Sequence, residues 1–281
     1  MKMTDELAAK YIRLSIVPGF GVVSQNKLIK MCGNIDNCFE ISPEELLLRD
    51  KSSDKDHKVG ISRLKKFIEF RNSGIVMDRV RSVLEDCKNS GTDVIPLTDS
   101  AYPKCFKELF DMPILLYVKG KLRRNEFKRS VGIVGARRCS IEGKKKAIAL
   151  TERELQNHSV IISGMAKGID SYTHTAALLD GGYTIAVLGN GPDICYPKEH
   201  EMLYEEIVER RCVLSEYPPG TNPRGYMFPN RNRLIAALSD MVYVIDTGRH
   251  SGTESTVKAC NIYGRRVISQ NKEDVLRAYN T

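Results

Sequence analysis

Between residues 131 and 269, short and almost wholly apolar runs alternate with longer amphipathic ones, and this alternation constrains the fold more than any other feature of the chain. The runs near 131–135, 160–163, 184–188, 212–216, 242–246 and 266–269 read as strands, and the stretches near 141–157, 168–180, 198–210, 231–239 and 253–263 read as helices. Strands such as Ile185-Ala186-Val187-Leu188 have no polar face, so both of their faces must be covered. The pattern predicts a doubly wound α/β domain with a mostly parallel sheet. Ligands of such sheets sit beyond the carboxyl ends of the strands, which makes the turns after the strands the places to search for function.

The N-terminal third follows a different period. Leu7, Tyr11, Leu14, Leu28, Ile29, Leu46, Leu47, Leu64, Ile68, Val80, Val83 and Leu84 recur at helical spacing, and strand signals are few. The 281 residues are therefore expected to divide into a helical domain over 1–92 and an α/β domain over 93–281. Val17-Pro18-Gly19-Phe20-Gly21 separates two helical patterns in the manner of a helix-hairpin-helix. Such a turn either presents its N–H groups to a DNA phosphate or serves only to dock two helices. Asp50 to Asp56 reads as a solvated loop. Val94-Ile95-Pro96 and Ile114 to Val118 read as short strands, and Lys121 to Arg129 as a basic connector.

Composition narrows the class further. Hydrophobic residues make up 42% of the chain, enough for a real core, and the net charge of +8 admits a polyanionic partner. That excess is spread along the chain rather than gathered in a tail. The longest apolar runs fall far short of the roughly 20 residues a membrane-spanning helix needs. The N-terminus lacks the apolar core of a secretory signal, so a cytoplasmic protein with no membrane partner is expected. The 8 cysteines form no Cys-x-x-Cys and read as free thiols, and the 5 histidines are scattered. Neither a metal nor a cofactor is expected.

The turns after the strands carry the chemistry. The first, Val134-Gly135-Ala136-Arg137-Arg138-Cys139-Ser140, is not Gly-x-Gly-x-x-Gly, and no P-loop occurs in the chain, which disfavours a conventional NAD site and P-loop hydrolysis. A glycine, the guanidinium groups of Arg137 and Arg138, and Ser140 as a helix cap make a seat for a phosphate or carboxylate. Ser163-Gly164-Met165-Ala166-Lys167-Gly168, Leu188-Gly189-Asn190-Gly191 and Ser251-Gly252-Thr253 repeat the theme. Each alone is what a strand-to-helix turn needs sterically; together they describe a row of N–H groups suited to successive phosphates. The stretch from Glu216 to Arg233 adds Arg224, Arg231 and Arg233 among Tyr217, Tyr226 and Phe228. These residues either stack on bases and neutralise phosphates, or plug the core and pair with Glu216 and Asp170.

In order and spacing over about residues 94–269, the chain resembles the DNA-processing protein A family (DprA, also called Smf). The resemblance rests on Gly135-Ala136-Arg137, Ser163 to Asp170, Thr184 to Gly191, Leu214 to Gly220, Phe228-Pro229-Asn230-Arg231-Asn232-Arg233 and Ser251-Gly252-Thr253. It implies a Rossmann-like core preceded by a sterile-alpha-motif-like helical domain. It further implies a non-enzymatic protein of natural transformation, usually a homodimer, that binds and protects incoming single-stranded DNA and loads a RecA-type recombinase. Arg137, Ser163, Gly164, Lys167, Asn190, Phe228, Arg231, Asn232, Arg233, Ser251 and Gly252 would line the strand-binding pocket, and His174 would be structural. After Val267 the chain lacks the Pro-Gly turn and helix-starting segment of many members, so a pocket without that wall and without a C-terminal winged helix is expected. The alternative is a nucleotide-binding Rossmann-like enzyme or sensor of the lysine-decarboxylase-like group, with Glu254 and Arg137 holding a nucleoside monophosphate.

Overall fold

The computed structural model describes residues 3–107, 109–123, 129–246 and 252–269. The chain divides into two units: Met1–Ser90 with Val94–Tyr102 and Lys107–Leu116, and Gly91–Asp93 with Pro103–Phe106 and Tyr117–Thr281.

The first unit is built on six helices: α1 (Met3–Ser15), α2 (Val22–Cys32), α3 (Ile35–Glu40), α4 (Pro43–Ser52), α5 (Ile61–Phe70) and α6 (Gly74–Ser90). Their starts follow local chemistry. Asn34 caps α3 by accepting the N–H of Asn37, and Ser42 caps α4, with Pro43 at the first helical position where no N–H is needed. Tyr11, Leu14, Leu28, Leu46, Leu64, Val80 and Val83 are buried as their spacing predicts, whereas Leu7, Leu47, Ile68 and Leu84 are only half-buried. Phe67 takes much of the centre, with Phe20 and Phe39 at ring separations of 5.4 and 5.8 Å. The hairpin turn between α1 and α2 is anchored by buried Val17 and Phe20 while Pro18, Gly19 and Gly21 are exposed, and Gln25 donates to the carbonyls of Phe20 at 2.7 Å and Ser15 at 3.3 Å. The buried side chains dock the two helices, and the glycines of the turn stay at the surface.

One polar stretch departs from expectation. Asp50 is not in a solvated loop; it lies in the last turn of α4 with its side chain wholly buried, accepting the N–H groups of Val59 at 2.7 Å and Gly60 at 3.1 Å. The acid is there to satisfy donors at the start of α5, which opens with Gly60 and has no side-chain cap of its own.

The α/β part contains β1 (Asp93–Pro96), α7 (Lys104–Lys107), β2 (Leu115–Gly120), β3 (Arg129–Gly135), α8 (Ile141–Gln156), β4 (Ser159–Ser163), α9 (Ile169–Leu179) and β5 (Thr184–Leu188). It continues with α10 (Glu201–Arg210), β6 (Cys212–Ser215), α11 (Met227–Leu238), β7 (Met241–Ile245), α12 (Glu254–Ile262) and β8 (Arg266–Ser269). The expected alternation is present throughout. The strand order is β1-β2-β6-β5-β4-β3-β7-β8, with β6 to β8 parallel in succession and β2 antiparallel to β6. Strands β4, β5 and β6 are buried at every position; α8, α9 and α10 pack against them, α11 packs against β4 and β5, and α12 packs on α11 and β8. Residues 124–128 of the basic connector and residues 270–281 lie outside the described residues. Among the described residues no helix is long and apolar enough to cross a membrane.

The order places the first strand of the parallel set, β3, between β4 and β7. The direction in which successive strands are added therefore reverses beside β3, and the turns after β3, β4 and β7 open on the same sheet edge. Gly135 ends β3 so close to its neighbour that a Cβ there would lie 2.1 Å from the Ile245 carbonyl oxygen. No other residue fits that junction.

Candidate nucleic-acid interface

A cleft of about 630 Å³ lies at this sheet edge, bounded by Val134 to Arg137, Asp170, Tyr196, the start of α11 and the start of α12. Helix α11 begins at Met227, earlier than the 231–239 read from the sequence. Pro229 obscured the start, yet proline is tolerated in the first turn because its missing N–H has no intrahelical acceptor there. The early start puts Phe228, Arg231, Asn232 and Arg233 within the first two turns of one helix, each meeting a different neighbour.

Phe228 is half-buried and stacks on Tyr196, with ring centroids 5.4 Å apart and planes 25° from parallel. The Arg137 guanidinium stands 5.9 Å from the Phe228 ring centre. Together they make an aromatic shelf with a cation beside it, open to solvent through Tyr196, which is 44% exposed. Sequence reading missed Tyr196 because it stands alone between Cys195 and Pro197; the available signal was its place in the loop after β5. Arg137 and Arg224 are exposed and, among the described residues, make no ion pair. Lys167 is exposed as well and pairs with Glu199 at the surface, a contact of little energetic weight.

Arg231 and Arg233 do not line the cleft as free cations. Arg231 is 5% exposed and runs beneath the cleft floor, donating to the carbonyls of Gly164 at 2.5 Å and of Val187, while its Nε donates to Asn232 at 3.0 Å. Burial lowers its guanidinium to about 10, against the opposing pull of buried Asp170, whose own carboxyl is raised by burial. Arg233 donates to both carboxylate oxygens of Glu216, at 2.8 and 2.7 Å. Of the two readings of this stretch, internal pairing accounts for these two arginines and the open cleft for Phe228.

Other expected site residues serve the frame. The Ser163 hydroxyl is wholly buried and donates to the Ile133 carbonyl at 2.6 Å, tying β4 to β3. Asn190 is buried and donates to the carbonyls of Gly191 at 2.9 Å and Ile194 at 2.7 Å, closing the loop after β5. Asn232 reaches across to α12, donating to the Gly252 carbonyl at 3.0 Å and the Ser255 hydroxyl at 2.9 Å. Gly168, at φ +79°, caps α9 against the Ala136 and Arg137 carbonyls. Thr253 and Gly252 stand at the cleft rim; Ser251 lies outside the described residues. His174 is wholly buried with Nδ1 2.8 Å from the Thr184 hydroxyl, and burial pushes it down to about 3, in keeping with a structural part.

The row of free N–H groups expected at this edge is largely taken by the protein's own acids. In the second turn Asp170 accepts the N–H groups of Gly164 at 3.1 Å and Ala166 at 3.3 Å. Asp193 accepts that of Gly220 at 3.0 Å. At the first turn Ser140 caps α8 as read, accepting from Gly143 at 3.0 Å, but its own N–H is bound by Asp246. Arg138 is exposed beside it. The N–H groups of Gly164, Ala166, Gly220 and Ser140 are thus already bonded within the chain.

The family profile described as DNA recombination-mediator protein A matches residues 93–277. DNA processing protein DprA of Streptococcus pneumoniae is 39% identical over 202 residues, 71% of this chain and 71% of that protein. Protein Smf of Synechocystis is 32% identical over 281 residues, 99% of this chain and 68% of its own length. In three dimensions the X-ray structure of the Streptococcus pneumoniae protein superposes with a TM-score of 0.78 at 30% identity, covering 96% of this chain and 90% of that one. The Helicobacter pylori DNA processing protein A, solved for its single-stranded DNA binding mode, gives a TM-score of 0.60 at 28% identity over 67% of this chain and 87% of that one.

Proposed function

The chain belongs to the DNA recombination-mediator protein A family, and from that membership we propose that it binds single-stranded DNA in the cleft at the C-terminal edge of its parallel sheet. The observation that carries the proposal is the Tyr196–Phe228 stack with Arg137 beside it. An aromatic face is sequence-tolerant, because every base offers a π surface, and a neighbouring cation meets the phosphate that follows. Exposed Arg137, Arg224 and Lys167 supply the sequence-independent charge. The likeness to the Helicobacter pylori protein supports the same reading.

A duplex keeps its bases stacked on one another and has none to lend to the shelf, so single strands are favoured. The proposal extends to protection of incoming strands in natural transformation, to delivery of the strand to a RecA-type recombinase and to action as a homodimer in the cytoplasm, without a catalytic step. Fluorescence anisotropy with labelled oligothymidylate and with a duplex of equal length tests the core of it. Single-strand binding at least about tenfold tighter than duplex binding is expected, a difference of roughly 1.4 kcal/mol. Equal affinity for the two would overturn it.

A further inference from the structure

The loop after β7 delivers an acid to the start of the neighbouring α8. Because β3 and β7 are adjacent and parallel, the residue after Ile245 lies beside the turn after Gly135. That residue is Asp246, in the left-handed region at φ +54°, and its Oδ2 accepts the Ser140 N–H. The helix is shaped around it: a Cβ on Gly143 would stand 2.6 Å from Asp246 Oδ2 and 2.8 Å from its Cβ. Helix start and carboxylate therefore fit each other as host and guest. In a doubly wound sheet, the first strand-to-helix turn is where the phosphate of a bound nucleotide would sit, on the helix N–H groups.

We propose that Asp246 is a specificity-determining residue whose carboxylate fills the phosphate seat of α8 and so turns away free nucleotides, leaving the cleft to a strand held by its aromatic shelf and cationic side chains. The inference rests on the single-strand reading above. An acid tethered to the same fold competes at an effective concentration in the millimolar range or higher, and its charge repels a second anion at the same place. A mononucleotide gains little elsewhere, since Asp170 holds the N–H groups of the second turn in the same way. A strand is affected far less, because successive bases and phosphates engage the shelf and Arg137 together. The seat that makes related folds nucleotide binders is occupied by the chain itself.

The test compares the full-length parent chain with Asp246→Asn, which keeps an acceptor for Ser140 and loses the charge, and Asp246→Gly, which suits the left-handed backbone and empties the seat. Probes are 2′-deoxyadenosine 5′-monophosphate and inorganic phosphate by calorimetry and thermal shift, with oligothymidylate anisotropy on the same preparations. The parent melting temperature should not respond to millimolar deoxyadenosine monophosphate. The Gly variant should bind it at least about tenfold tighter than the parent, with Asn between them, while affinity for oligothymidylate stays within about threefold. A parent chain already stabilised by either small anion overturns the inference without any variant, as do folded variants that bind no more tightly than the parent. Failure of the parent to bind oligothymidylate is a separate result and refutes the single-strand reading instead.

Discussion

Truncating Phe228 to alanine separates recognition from packing, because its ring does some of both. A fully buried phenylalanine costs about 3–5 kcal/mol of stability when truncated, and this ring is half-buried, so the burial loss is about 2 kcal/mol. Loss of the Tyr196 stack adds roughly 0.5–1.5 kcal/mol. The expected destabilisation is thus about 2.5–3.5 kcal/mol, read from urea unfolding. Single-strand affinity should fall by about 1–3 kcal/mol, roughly 5- to 150-fold, read by anisotropy on protein kept well below its unfolding midpoint. Tyr196→Ala should lose affinity in the same range. Since the two rings form one shelf, the double variant should lose less than the sum of the singles. A Phe228→Ala protein that is destabilised yet binds oligothymidylate as tightly as the parent would show that the shelf is packing alone.

Arg137→Ala should weaken single-strand binding at least about tenfold with an unchanged unfolding midpoint, since the guanidinium is exposed; unchanged anisotropy would refute its placing. Log affinity should fall with log salt at a slope of about −2, as three phosphates neutralised at Arg137, Arg224 and Lys167 would give at about 0.7 each; a flat salt titration would contradict this. Arg231→Met should lower stability by about 2–4 kcal/mol, because the buried Gly164 and Val187 carbonyls each lose their donor at about 1–3 kcal/mol apiece, and an unmoved urea midpoint would disprove that role. His174 is held near 3 in the folded protein against about 6.5 unfolded, so the unfolded chain takes up the proton first as pH falls. Its share of stability is complete above about pH 6.5 and drains toward about pH 3, by roughly 2 kcal/mol between pH 7 and pH 5. An equal pH slope in His174→Asn would remove that assignment.

The strands and helices of the α/β part were legible because their signals are local: apolar runs for strands buried on two faces and amphipathic spacing for the helices between them. The direction of a charged side chain is not local. Arg231 and Arg233 look alike in the sequence, but one finds carbonyls beneath the floor and the other finds Glu216, and both partners come from distant segments. The same holds for acids. Asp50 reads as one polar residue in a polar stretch, and Asp246 as the end of a strand, until the fold brings unsatisfied N–H groups to each. Tyr196 became visible only when the loop after β5 met the first turn of α11.

The start of α11 also limits what can be borrowed from this molecule. Within six residues it supplies the shelf through Phe228, the floor through Arg231, a clasp to α12 through Asn232 and a clasp to Glu216 through Arg233. A synthetic peptide carrying this stretch would have the right letters and none of the partners that aim them. Moving it onto another scaffold would mean moving the Gly164 and Val187 carbonyls, Tyr196 and Glu216 with it, which amounts to moving the sheet edge.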